Sequence, residues 1–366
     1  MNIVIFGTGW YADEILMSQK ILDKYGWKIS GFLDNNEKKW GGEKYGNSLI
    51  YPPSEIENLQ YDVILIALTE QYYEDVYVQL TKELHVSPDK IHEYTWLLKQ
   101  EFIKKYRNTK DPEIKATLSY WQNNSISPFN QYINIKNLHT LNEVFYDTED
   151  DPYIAFITDS GENVRLYYPR DFKFFKKNGK LYVQDVLIEQ SPNSPHAYFY
   201  GSHKVMNGDV IIDCGACEGN FSLRFADISS KIYIFESDER WIHPLKKTFA
   251  KFADKTEIIN AYVSDKSDNK KVCLDNVINS SVDFIKMDIE GAEEEALDGA
   301  KKLMTEYLPK CSICGYHKTC AADRIRKVLS SYGYKTSFSH GFMTFIWGED
   351  EWLNLDFRKG VVYGDK

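Results

Sequence analysis

Twice in this chain a short apolar strand runs into a glycine turn and then into a helix, and that repeated pattern leaves few folds open. The first instance joins Ile3–Phe6 to Gly7, Gly9 and Ala12, with Ile21, Leu22 and Tyr25 on the helix that follows. A second strand ends in GFLDNN at Asp34, a third runs from Val63 to Leu68, and a short one near Ile91 closes the unit. The second instance joins Val210–Ile212 and Asp213 to CGACEGN. Further apolar strands follow, ending at Glu236, at Ser264 and Asp265, at Asp288 and Glu290, and at Tyr316 and His317. Strands that alternate with helices predict parallel sheets. The expected organisation is a small nucleotide-type domain over 1–100, a helical linker over 101–150 punctuated by Pro112 and Pro128, and a larger α/β domain over 151–366. Hairpins open that larger domain, with turns at Ser160-Gly161 and Asn178-Gly179. A terminal hairpin, TSFS through His340-Gly341 to FMTFIW, closes it.

Composition narrows the function. Lys plus Arg is 44 against 54 for Asp plus Glu, a net charge of −10, which argues against a nucleic-acid backbone as the main partner. No apolar run approaches the roughly 18 residues of a membrane span, and MNIVIFGTGW lacks the features of a signal peptide, so a cytoplasmic location is expected. The six cysteines do not read as a disulfide framework. Cys311, Cys314 and Cys320 surround His317, but a strand would point Cys311 and Cys314 to opposite faces, away from any shared tetrahedral ion. Aromatic residues, at 15%, are read mainly as core.

In an open α/β sheet, ligands bind outside the carboxyl ends of the strands. Asp213, Glu236, Asp265, Asp288, Glu290 and His317 all fall at such ends. Glu236 lies 23 residues after Asp213, where a carboxylate accepts hydrogen bonds from two ribose hydroxyls. The glycine loop carries Asp213 and Glu218 and is itself acidic, which suits a cationic cofactor better than a pyrophosphate. S-adenosylmethionine has a sulfonium, an ammonium and a ribose, and no phosphate.

DCGACEGNF, FESD and above all FIKMDIEGAE closely resemble the FkbM-like family of S-adenosylmethionine-dependent methyltransferases. The resemblance spans roughly 150–348, including the SPH motif at Ser194–His196. It implies the class I methyltransferase fold, a seven-stranded sheet whose last strand is antiparallel, and O-methylation of hydroxyls, often on bacterial sugars. By that likeness Asp213, Gly215, Ala216 and Gly219 hold the methionine half, Glu236 the ribose, and Ser264 with Asp265 the adenine side. Two departures stand out. Cys217 replaces the middle glycine of the loop, which is tolerable only where positive φ is not needed. The stretch from Asp265 to Val282 is also short. A sugar hydroxyl needs a positioned base. His317 is the first candidate, and Asp288 a base, an orienter, or a ligand with Glu290 to a divalent metal. His196 and His340 are further candidates, and Tyr198, Tyr200 and Tyr316 a possible sugar platform.

In the first unit, Gly7, Gly9 and Asp34 fit one mononucleotide-binding half. NIVIFGTG and GFLDNN resemble the small Rossmann-like domains that precede catalytic domains in bacterial polysaccharide enzymes. That likeness implies a nucleotide or sugar nucleotide; the plainer reading is a fold that only packs or forms a homodimer. The expected whole is two Rossmann-like units, the second methylating a free, nucleotide-linked or lipid-linked saccharide. The alternative is an NAD(P)- or sugar-nucleotide-binding enzyme, or a scaffold, acting through the first unit.

Overall fold

A computed structural model describes residues 1–15, 19–44, 48–68, 70–122, 124, 126, 142–172, 175–176, 180–181, 190–191, 194–344 and 349–366. The Asn178-Gly179 turn and Pro128 lie outside the described residues. The chain divides into two compact units, one of residues 1–128 with 344–356, the other of 129–343 with 357–366. The stretch 344–356, read in the sequence as part of the second domain, is therefore in the first unit.

The first unit is built on a five-stranded parallel sheet of β1 (Asn2–Phe6), β2 (Lys28–Leu33), β3 (Ile50–Tyr51), β4 (Val63–Ile66) and β5 (Ile91–Glu93), in the order β3-β2-β1-β4-β5. Val4, Phe6, Ile64 and Ile66 pack into one core face, while Ile3 and Ile5 are buried on the other, as expected of a sheet covered on both sides. Helices Trp96–Tyr106 and Pro112–Trp121 follow. The second starts where Asp111 accepts the N–H groups of Glu113 and Ile114, with Pro112 in its first turn. Helix Glu349–Leu353 also packs in this unit: Tyr25 Oη donates to Trp352 O at 2.6 Å, and Trp27 meets the Trp352 ring edge-on.

In the second unit short strands come first: β6 (Asn142–Glu143), β7 (Phe145–Tyr146), β8 (Pro152–Ile157), β9 (Asn163–Tyr167), β10 (Phe175–Lys176) and β11 (Lys180–Leu181), all paired antiparallel. The main sheet is formed by β12 (Val210–Cys214), β13 (Lys231–Phe235), β14 (Thr256–Ile259), β17 (Phe284–Met287), β18 (Lys310–Cys314), β19 (Lys335–Phe338) and β20 (Val361–Asp365). Between them in sequence, β15 (Tyr262–Val263) and β16 (Lys271–Val272) form a separate pair. The main sheet runs β14-β13-β12-β17-β18-β20-β19, parallel except for β20. This is the seven-stranded arrangement with an antiparallel end that the sequence predicts.

Two details differ from the sequence reading. The third strand leaves the main sheet at Ile259, so Ser264 and Asp265 follow β15 of the small pair and not a main-sheet strand. Ser264 N donates instead to Val272 O in the small pair, and Gly299 packs so closely on it that a Cβ there would lie 2.1 Å from Ser264 O. The partner of β19 is β20, with Phe338 opposite Val362, and not FMTFIW. A Cβ at Gly360 would lie 1.8 Å from Pro195 O, and one at Gly364 would lie 2.5 Å from Cys311 Sγ. Gly364 within VVYGD and Gly360 just before it thus run close against their neighbours, and residues 345–347 of FMTFIW lie outside the described residues.

Candidate methyl-transfer site

The loop after β12 is tightly wound. Gly215, Cys217 and Gly219 all take positive φ, at 74°, 51° and 79°. A Cβ on Gly215 would sit 1.8 Å from the Asp288 carbonyl, so only glycine lets this backbone run against the end of β17. At Cys217 the sequence condition fails: the position does require a left-handed backbone, and a cysteine supplies it at a cost of roughly 1–2 kcal/mol. Glu236 stands just past β13, 6% exposed, with Oε2 accepting the Cys217 N–H at 2.8 Å and Oε1 the Asp238 N–H at 2.7 Å. Among the described residues no cation pairs with it. The strand-end position next to it is Asn260, whose side chain donates to Glu236 O at 2.8 Å. Ala216 is buried.

Asp213 does not face the crevice. It is fully buried, 3.0 Å from Lys286 Nζ and accepting from Ser222 Oγ at 2.8 Å. Lys286 is the residue that sequence reasoning missed. Asp213 and Lys286 are direct register partners on adjacent strands. The available signal was a lysine inside the apolar run FIKMD, a strand buried on both faces, which must find an acid.

Asp288, just past β17, gathers the polar groups of the site. Its Oδ2 is 3.1 Å from His196 Nε2 and accepts from Tyr198 Oη at 2.6 Å; its Oδ1 is 3.3 Å from both Tyr316 Oη and His317 Nε2. Burial alone would raise its pKa. The hydrogen bond from His196 and the charges of His196, Lys286 and His317 outweigh that and hold the carboxyl well below the usual carboxylate range. His317 is buried, with Nδ1 2.9 Å from Glu293 Oε1. Burial would lower its pKa, but Glu293, Asp288 and Glu290 raise it above 6.5. Glu293, 2% exposed, also accepts the N–H groups of Ile289 and Gly291.

The structure thus brings together His196, Tyr198, Asp288, Tyr316 and His317. Glu290 meets the cluster from its exposed side: its Oε2 lies 3.5 Å from His317 Nε2, while the side chain is 90% exposed. The acid grouped with Asp288 and His317 is Glu293. The three tyrosines do not form one platform. Tyr198 and Tyr316 are buried, and Tyr200 is turned away to Ser337 and Tyr363. His340 is exposed past β19, and Asp265 is exposed beside Ser264. Cys314 Sγ lies 3.5 Å from His196 Nε2, whereas Cys311 is in the core on the other face of β18.

In the first unit, Gly7 has φ 105° and a Cβ there would lie 2.8 Å from Ala67 O, so the turn needs its glycine; Gly9 has open space around it. Asp34 is closed off. Its Oδ2 meets Lys39 Nζ at 2.8 Å and Thr8 Oγ1, and its Oδ1 accepts the Asn36 N–H.

A seven-stranded sheet with this order, a glycine loop after its first strand and an acid after its second define a methyltransferase fold. The crystal structure of methyltransferase FkbM from Methylobacillus flagellatus KT matches 100% of this chain and 90% of its own, with a TM-score of 0.53 at 14% identity. Precorrin-6y C5,15-methyltransferase from Geobacter metallireducens GS-15 matches 44% of this chain and 82% of its own, at 0.32 and 15%. The family model of the methyltransferase FkbM domain matches residues 270–336, the stretch holding Asp288, Glu293 and His317, as FIKMDIEGAE implies. Residues 1–92 match the family described as C2185-like, N-terminal. No curated protein matches the chain. No helix among the described residues is long and apolar enough to cross a membrane.

Proposed function

We propose that this chain is an S-adenosylmethionine-dependent O-methyltransferase acting on a sugar hydroxyl, in polysaccharide, glycolipid or natural-product biosynthesis. The observation that carries this reading is the glycine loop pressed against Asp288, with the unpaired carboxylate of Glu236 at its side. The residues fit the cofactor. Gly215 and Gly219 let the loop close down on Asp288 and on Leu245 and Phe249, and Glu236 has lone pairs left for ribose hydroxyls after accepting two backbone N–H groups. When bound, S-adenosylmethionine supplies a methyl group activated by its sulfonium.

The chain's own part is to hold the acceptor hydroxyl in line and take its proton. His317 is the base in this reading. Glu293 fixes the ring through Nδ1, which leaves Nε2, on the Asp288 side, to receive the proton. Asp288 remains ionised and stabilises the imidazolium that forms. Because the carboxylates raise the His317 pKa, the ring is a strong base that must first be emptied, so the rate climbs on the alkaline side of 6.5.

The acids grouped closely enough with His317 to share an ion are Asp288 and Glu293, not Asp288 and Glu290. In this reading His317 keeps its Nε2 for the acceptor proton, so Asp288, Glu293 and His317 serve as the base and its supports. The test is calorimetry with S-adenosylmethionine, followed by product mass after incubation with UDP- and GDP-sugars. Binding and a gain of one methylene in a sugar are expected. No binding, with a heat-stable protein, refutes the reading.

A further inference from the structure

Lys286 is a buried charge that the reaction above leaves unused. It lies in β17 at 3% exposure, its ammonium 3.0 Å from Asp213 Oδ1. Neutralising Asp213 would explain that contact alone. The ammonium does more: it donates to the carbonyl of Gly215 at 2.5 Å. It also stands 5.2 Å from the centre of the Tyr198 ring, and Tyr198 Oη donates to Asp288. One side chain therefore meets both the glycine loop and the ring that donates a hydrogen bond to Asp288. A point charge with three donors on a flexible stem suits such a junction, since each donor can find a separate acceptor.

We propose that Lys286 is a positioning residue for cofactor binding: by holding the Gly215 carbonyl it fixes the height of the glycine loop, and through Tyr198 it ties that loop to Asp288. The proposal rests on the reading of this loop as the S-adenosylmethionine site. It distinguishes a loop held by Lys286 from a lysine that merely balances a buried acid.

Removing the ammonium alone would leave Asp213 buried and unpaired, so the decisive protein is K286M/D213N, which deletes both charges. Calorimetry with S-adenosylmethionine and with S-adenosylhomocysteine reads the outcome. Both affinities are expected to fall together by tenfold or more while the melting temperature stays near that of the wild type. K286Q/D213N, whose amide still donates to a carbonyl, is expected to recover part of the loss. Wild-type affinity in K286M/D213N overturns the proposal. Should that protein not fold, K286L/D213N, which likewise has no donor for the Gly215 carbonyl, decides: weaker binding at an unchanged melting temperature supports the proposal, and wild-type binding overturns it. A wild-type protein that binds neither compound refutes the cofactor reading itself, before any variant is compared.

Discussion

The two units make the same turn and charge it differently. Each places a glycine with positive φ after the first strand of a parallel sheet and an acid after the second. In the first unit that acid, Asp34, is met at once by Lys39, and Lys44 reaches the turn from the side, donating to Thr8 O. In the second, Glu236 receives only backbone N–H groups, and the lysine sits below the loop against a different acid, Asp213. A cation at the mouth neutralises the acid a ligand would meet. A cation underneath neutralises the floor and leaves the acid at the mouth open. The topology is shared; where the lysine stands decides which charge faces a ligand.

Glu236→Ala is the strongest way to test that contrast. It removes an ionised acceptor that would serve two hydroxyls and is expected to weaken S-adenosylmethionine about a hundredfold or more. Asp34→Ala is expected to leave that affinity unchanged; equal losses in both would erase the contrast. Next is His317→Ala, expected to lower turnover roughly a hundredfold or more with little change in cofactor affinity. In the wild type the rate should rise as pH passes the raised His317 pKa, and the variant should lose that limb. Stability should move the other way. With its folded pKa raised, the His317 contribution is fully present below about 6.5 and disappears as pH climbs through the folded value. A melting curve that instead improves over that interval would contradict the ion pairs drawn around this ring.

Two further substitutions are expected to act on stability. Lys247 holds Glu149 at 2.9 Å and Asp151 at 2.7 Å, and also meets Asp147, pinning the turn before β8 to helix Glu239–Thr248. Lys247→Met is expected to lower the melting temperature by about 5 °C without changing cofactor affinity. Least of all is Cys217→Gly, which relieves a left-handed cysteine and should raise the melting temperature by about 2 °C. A fall instead would mean the thiol contributes more than its backbone costs.

Strand ends were legible in the sequence because an apolar run that stops at an acid marks both a sheet and its functional edge. Glu236, Asp288 and His317 were found that way. Lys286 and Glu293 were not, since each is defined by a partner far along the chain: Asp213 across a sheet register, His317 on the next strand's end. Glu290 and Glu293 are also alike in sequence, both acids after one strand. Only the fold decides that Glu290, at φ 56°, stays exposed beside His317 while Glu293 is buried against it. The last strand was misplaced for a similar reason. FMTFIW is the more apolar run, but VVYGD is the segment that pairs with both β18 and β19.

The excursion of residues 344–356 bears on how these units can be taken apart. The chain passes from one unit to the other near 128, near 343 and near 356, three times where a simple tandem would pass once. A single protease nick in the stretch after Pro128 therefore leaves the halves joined by two further strands of chain. A fragment ending at 128 would also lack Trp352, against which Trp27 packs. The first unit is not a cassette that one cut could release or one fusion could transplant; moving it intact means carrying a piece of the chain encoded more than two hundred residues later.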